Sequence, residues 1–186
     1  NEDLERLVAI RTSEAESAVD RLREELDTRK QTEKQLFFYS LHDSLTGLPN
    51  RSLLLNRLDL AVQRMRRDRS WRFAVLFLDL DDFKRVNDTY GHAMGDAFLR
   101  EVASRLVRCV RTVDTVARLG GDEFVVLLDE ARSIEEAREV AERISEDLAV
   151  PIFKDGRSII PSASVGVLFP ERDYPSPEDV LRDADI

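Results

Sequence analysis

The chain has 186 residues, 42% of them apolar, and a formal charge of −9. That length suits one domain plus an extension, and the negative balance argues against a nucleic-acid-binding face, which needs a basic footprint. The single Cys109 excludes an internal disulfide framework and fits a reducing, cytoplasmic setting, and no apolar run approaches the length that spans a bilayer. The chain begins at Asn1 without a signal peptide and reads as a fragment of something longer.

Residues 1–40 predict one long helix, with no Gly or Pro through Leu36. Val8, Ala15, Leu22, Arg29 and Leu36 recur every seven residues, and Thr12, Val19, Leu26 and Glu33 lie four positions after the first four of them. This is a heptad seam with an apolar centre and polar breaks at Arg29 and Glu33. So narrow a stripe is marginal on a lone helix in water, so the expectation is a parallel two-stranded coiled coil. A single helix packed on its own domain is the alternative. Leu36, Phe37, Phe38 and Tyr39 supply bulk suited to docking on the globular domain.

Residues 41–186 form the expected globular domain. Residues 43–51 read as a loop broken by Gly47 and Pro49, with Asn50 placed to cap a helix over 52–69. That helix ends in Arg64, Arg66, Arg67 and Arg69, which suit its dipole and a solvated face. A strand is predicted over 71–80, a short helix over 82–87 and a long one over 95–110. Strands over 114–119 and 123–128 form a hairpin. Ser133 and Glu136 form a capping box for the next helix. Short strands come next over 152–154, 157–163 and 164–168, the first two joined at Asp155-Gly156, and Ser176 opens a last helix. Cys109 reads as a small core residue.

Two stretches carry chemistry. Residues 73–80 are a nearly continuous apolar run, as in a strand buried on both faces, and Asp79, Asp81 and Asp82 stand at its exit. Carboxylates there need a cation or hydrogen bonds. In the hairpin, Gly120-Gly121 makes the turn and Asp122-Glu123 come immediately after it. A hairpin tip with solvated acids is the plain account of the second stretch alone. If the two lie side by side, Asp79 and Asp122 converge, and oxygen ligands without Cys or His favour Mg²⁺, the usual equipment of nucleotidyl transfer.

Gly120-Gly121-Asp122-Glu123-Phe124 resembles the signature of the GGDEF family, the diguanylate cyclases, which join two GTP into cyclic di-GMP. Asp43-Ser44-Leu45-Thr46-Gly47-Leu48-Pro49-Asn50-Arg51 resembles the family's opening motif. The run from Asp79 to Asp88 and then Gly91-His92-Ala93-Met94-Gly95-Asp96 resemble its central motifs, in order. The resemblance implies an α+β fold whose mixed central sheet is ferredoxin-like and related to polymerase palms.

It also implies roles. Asp79, Asp122 and the Leu80 carbonyl would hold Mg²⁺, with Mn²⁺ an alternative. Asp122 would accept a proton, and Glu123 would matter for activity. Lys84, which alone reads as a surface lysine, would meet the phosphates. Asn87, His92 and Asp96 match guanine-pocket positions, and Gly120 and Gly121 the substrate turn; His92 could equally pin its loop. Asp43 and Asn50 read as structural. Two GTP require two facing domains, which agrees with a homodimer through residues 1–40, driven by an upstream sensor.

Arg111 and Asp114 match the family's RxxD inhibitory site for cyclic di-GMP; a surface ion pair is the alternative. The sequence stops at Ile186, where the last helix of the family begins, so the basic residues expected there are absent from it. A C-terminal phosphodiesterase domain is suggested by fold-level analogy alone. The competing reading is an inactive GTP- or cyclic di-GMP-sensing module that regulates an attached domain.

Overall fold

The computed structural model describes residues 2–68, 70–154 and 156–185, without the side chains of 2–5, 7–10 and 12–18. The seam positions Val8, Thr12 and Ala15, together with Arg69 and Asp155, therefore lie outside the described side chains or residues. The chain divides into two units, one ending at Ser40 and one starting at Leu41.

The first unit is formed by helix α1, which runs Glu2–Leu41 and so ends on the first residue of the second unit. Val19, Leu22 and Leu26 form an exposed apolar stripe along it. The two polar seam residues satisfy one another within the helix: Arg29 Nε donates to Glu33 at 3.0 Å, an (i, i+4) pair. Among the described residues no helix is long and apolar enough to cross a membrane.

In the second unit the chain runs α2 (Arg51–Arg67), β1 (Ala74–Leu80), α3 (Phe83–Tyr90), α4 (His92–Arg108), β2 (Thr115–Gly120) and β3 (Glu123–Leu128). It continues as α5 (Ile134–Leu148), β4 (Ile152–Lys154), β5 (Arg157–Ile159), β6 (Ala163–Leu168) and α6 (Pro177–Ala184). The caps sit where the sequence puts them. Asn50 accepts from Leu53 N–H, Ser133 from Glu136 N–H and Ser176 from Asp179 N–H.

The main sheet has the order β2-β3-β1-β6, which is ferredoxin-like. Every pairing in it is antiparallel, where the interleaving of helices suggests a mixed sheet. The reason is that each helical crossover skips a place. The passage through α3 and α4 leads from β1 to β2, and β3 is inserted between them; the passage through α5 leads from β3 to β6, with β1 between. β4 and β5 form a separate two-stranded sheet, and Ala163 belongs to β6 rather than to β5. The first strand starts at Ala74, not Trp71, and α4 starts at His92, so Gly95 lies inside it.

Alternation sorts β1 into two faces. Ala74, Leu76, Leu78 and Leu80 face α4 and α5 in one core with Phe98, Leu106 and Ile144. Val75 and Phe77 face α2 and α6 in a second core with Leu58, Val62 and Leu181. The basic end of α2 is more tied down than a solvated face. Arg64 pairs with Glu130 at 2.8 Å and lies 4.7 Å above the Trp71 ring, and Arg66 donates to the Tyr174 carbonyl.

Candidate active site

The register of the sheet brings the two acidic stretches together. Asp79 is the rung partner of Glu123 across β1–β3, and Leu80 N–H donates to the Asp122 carbonyl at 3.2 Å. Pleat alternation places Asp79 and Glu123 on the face that carries Phe77 and Val125, toward α2 and α6. Burial is interrupted at this rung, where Asp79 and Glu123 are exposed while their neighbours along the strands are buried.

The turn itself needs its glycines. Gly120 has φ 148° and Gly121 φ 51°, both in the region that disfavours side chains. A register shift between Arg118 and Gly120 kinks β2 just before the turn. Arg118, 9% exposed, then locks the turn. Its Nε and Nη2 both donate to the Gly121 carbonyl, at 3.1 and 2.7 Å, and its Nη1 to the Asp43 carboxylate at 2.9 Å. Asp43 also accepts from the Thr46 amide and hydroxyl, at 2.9 and 2.6 Å. Asp43 is thus a structural residue, as is the helix cap Asn50.

Negative charge dominates the cluster. Partial desolvation, then the charges of Asp122, Asp81 and Asp185, raise the Asp79 carboxyl above its ordinary range. Desolvation, then Asp185, Asp79 and Asp122, raise Glu123, with Arg51 opposing. Such a site fits a divalent cation. Among the described residues no three His, Cys, Asp or Glu side chains are set to hold an ion unaided. Two carboxylates and a backbone oxygen are nonetheless a fitting partial set for Mg²⁺, which takes one or two carboxylates and completes its shell with water and substrate phosphates.

The remaining predicted residues lie on the helices C-terminal to β1. Lys84 is exposed in the first turn of α3, and His92 and Asp96 are exposed in the first turns of α4. Asn87 of α3 packs on Gly95 of α4, where an added Cβ would lie 2.0 Å from Asn87 Oδ1. Gly95 thereby sets Asn87 beside the turn that carries Asp96. Arg111 and Asp114 also come together. Asp114 accepts from Arg111 N–H at 2.8 Å and from Asp129 N–H at 3.0 Å. The Arg111 guanidinium pairs with Glu136 at 2.6 Å, a partner that nothing near Arg111 in sequence reveals. Asp185, at the end of α6, is the other residue missed by sequence reasoning, since nothing in its sequence context marks it as near Asp79.

A four-stranded antiparallel sheet with helices on both faces, acids ending its central strand and acids on the neighbouring hairpin, defines a palm-like α+β domain. The chain belongs to the family described as diguanylate cyclase, GGDEF domain, which matches residues 40–186. It is 46% identical over 152 residues, 82% of its length, to the bifunctional diguanylate cyclase/cyclic di-GMP phosphodiesterase MucR of Pseudomonas aeruginosa, covering 22% of that protein. It is 43% identical over 147 residues to the diguanylate cyclase TpbB of the same species, covering 78% of this chain and 33% of TpbB. The chain therefore spans between about a fifth and a third of the length of these relatives. The structure of the coiled coil and GGDEF domain of DgcB from Caulobacter crescentus, in complex with c-di-GMP, superposes with a TM-score of 0.74 at 26% identity, covering 96% of this chain and 90% of that one.

Proposed function

We propose that residues 41–186 are a diguanylate cyclase domain that condenses two GTP into cyclic di-GMP and two pyrophosphates. The observation that carries this is the Asp79–Glu123 rung with the Leu80-to-Asp122 backbone bond beside it. Together they gather the acids of two separate motifs at one strand end.

In the reaction the 3′-oxygen of each GTP attacks the α-phosphorus of the other. The bond from that phosphorus to the bridging oxygen breaks, pyrophosphate leaves, and the hydroxyl proton passes to a carboxylate, assigned to Asp122. Asp79, Asp122 and the Leu80 carbonyl would hold Mg²⁺ (or Mn²⁺), which when bound acidifies the hydroxyl and neutralises phosphate charge. Lys84 neutralises the triphosphate. Asn87 and Asp96 read guanine, the amide meeting its acceptors and the carboxylate its N–H donors, while His92 lines or pins the same loop. The open turn at Gly120 and Gly121 lets the phosphates approach the backbone.

Each domain holds one GTP, so two must face each other. The apolar stripe at Val19, Leu22 and Leu26 supports a homodimer through α1, coupled to an upstream sensor on the cytoplasmic side. Arg111 and Asp114 form the inhibitory site for the product.

The test is incubation of the chain with GTP and Mg²⁺, read by mass spectrometry, beside Asp122→Asn. Cyclic di-GMP from the parent and none from the variant is the expected result. No product from the parent in a chain extended past Ile186 would overturn the reading.

A further inference from the structure

Gly166 lies inside β6 as the rung partner of Phe77. Its φ is outside the left-handed region, so no special backbone conformation calls for glycine there. A Cβ at this position would lie 2.3 Å from the carbonyl oxygen of Ala184, well inside van der Waals contact. Glycine within a strand commonly marks the close approach of another backbone, and here that backbone is the last turn of α6. Val180, Leu181 and Ala184, all at or below 4% exposure, hold the helix on the sheet.

Two residues before Gly166, Ser164 is the rung partner of Asp79. A two-residue step along a strand is about 7 Å. Phe77, Asp79 and Glu123 share the face on which α6 packs. The end of α6 is therefore delivered within about one such step of the Asp79–Glu123 rung. Asp185 is exposed there, its N–H tied back to the Leu181 carbonyl at 3.0 Å.

We propose that Gly166 is a positioning residue for the metal-dependent reaction: its missing side chain seats Ala184 of α6 on the sheet and sets the adjoining Asp185 as a further negative charge beside the Asp79–Asp122–Glu123 site. The inference rests on the reading of the domain as a diguanylate cyclase. Asp185 adds to the attraction for a divalent cation without being assigned as a ligand, and Gly166 acts only through it.

The experiment is titration with Mn²⁺, followed by electron paramagnetic resonance without nucleotide, on the parent, Gly166→Ala, Asp185→Asn and the double variant. The parent binds Mn²⁺, and each single variant binds about fivefold more weakly, the effect of one charge removed from a partly screened site. The double variant is no weaker than the weaker single one, because both changes remove the same interaction. Gly166→Ala is expected to fold with a lowered Tm, since the added Cβ pushes Ala184 away from the sheet; Asp185→Asn changes only an exposed side chain. Unchanged affinity in Asp185→Asn, or losses that add in the double variant, would overturn the inference while leaving the cyclase reading intact. A parent that binds no Mn²⁺ would overturn the inference, while the cyclase reading is decided separately by the product assay with GTP.

Discussion

Arg118 joins Asp43 at 2.9 Å across 75 positions of sequence, and with the same guanidinium it holds the Gly121 carbonyl. The opening motif and the signature turn are therefore one mechanical unit. The charge-assisted bonds are largely out of water, with the two side chains 10% and 20% exposed, and removing one partner strands the other. Arg118→Met is expected to lower stability by roughly 2–4 kcal/mol in urea unfolding. It should also lower kcat, because the turn that carries Asp122 loses its clamp.

The same pair sets a pH dependence. Burial opposes the Asp43 charge, but the hydrogen bonds from Thr46 and Arg118 outweigh it and hold the carboxyl below its ordinary range. A folded-state value below the unfolded one favours the charged form in the fold. The contribution is complete above the unfolded value, near pH 4, and is lost as pH falls through the folded value. The stability gap between the parent and Asp43→Asn should be wide at neutral pH and close in urea melts taken progressively below about pH 4. A gap that stays constant into acid would show that the pairing contributes no such term.

Asp79 presents the opposite case. Its carboxyl is raised by partial desolvation at the strand end and then by the charges of Asp122, Asp81 and Asp185, so its charge opposes folding when no cation is bound. Asp79→Asn should raise Tm in chelator while lowering cyclase activity by at least about a hundredfold. Added Mg²⁺ should stabilise the parent more than the variant in the same melts.

Asn87 depends on Gly95. A Cβ at Gly95 would fall 2.0 Å from Asn87 Oδ1, the far end of a movable side chain. Gly95→Ala should leave the fold nearly intact while swinging the amide away from the position proposed for guanine. The expected result is a KM for GTP raised by about tenfold with a smaller change in kcat, the loss of one well-placed polar contact. An equal loss of affinity for inorganic triphosphate, read as a competitive inhibitor, would instead implicate the phosphate end.

Glu136 competes with any ligand for Arg111, which it pairs at 2.6 Å with the arginine largely exposed. Glu136→Gln should free the guanidinium and tighten cyclic di-GMP binding by about two- to fivefold, the range of an exposed pair. Arg111→Ala should abolish product inhibition with initial rates unchanged. Calorimetry and progress curves read the two effects separately.

Much of this molecule was legible in the sequence because the signals were local. The caps at Asn50, Ser133 and Ser176, the double-glycine turn and the acids ending β1 each rest on chemistry within a few residues. Four ordered motifs identified the family resemblance for the same reason. Local signals could not decide the sense of the strand pairings, because a crossover helix reads the same whether or not a third strand enters between the two it connects. They could not assign a partner to Arg118 or Arg111, since Asp43 and Glu136 lie far off along the chain. Nor could they show why residue 166 is glycine. That reason is a carbonyl 18 positions later, brought within 2.3 Å of a Cβ position by the packing of α6 on the sheet. Composition, spacing and turn chemistry are properties of neighbours in sequence and were determined there; register, clamping and close approach are properties of neighbours in space, and only the folded chain decides them.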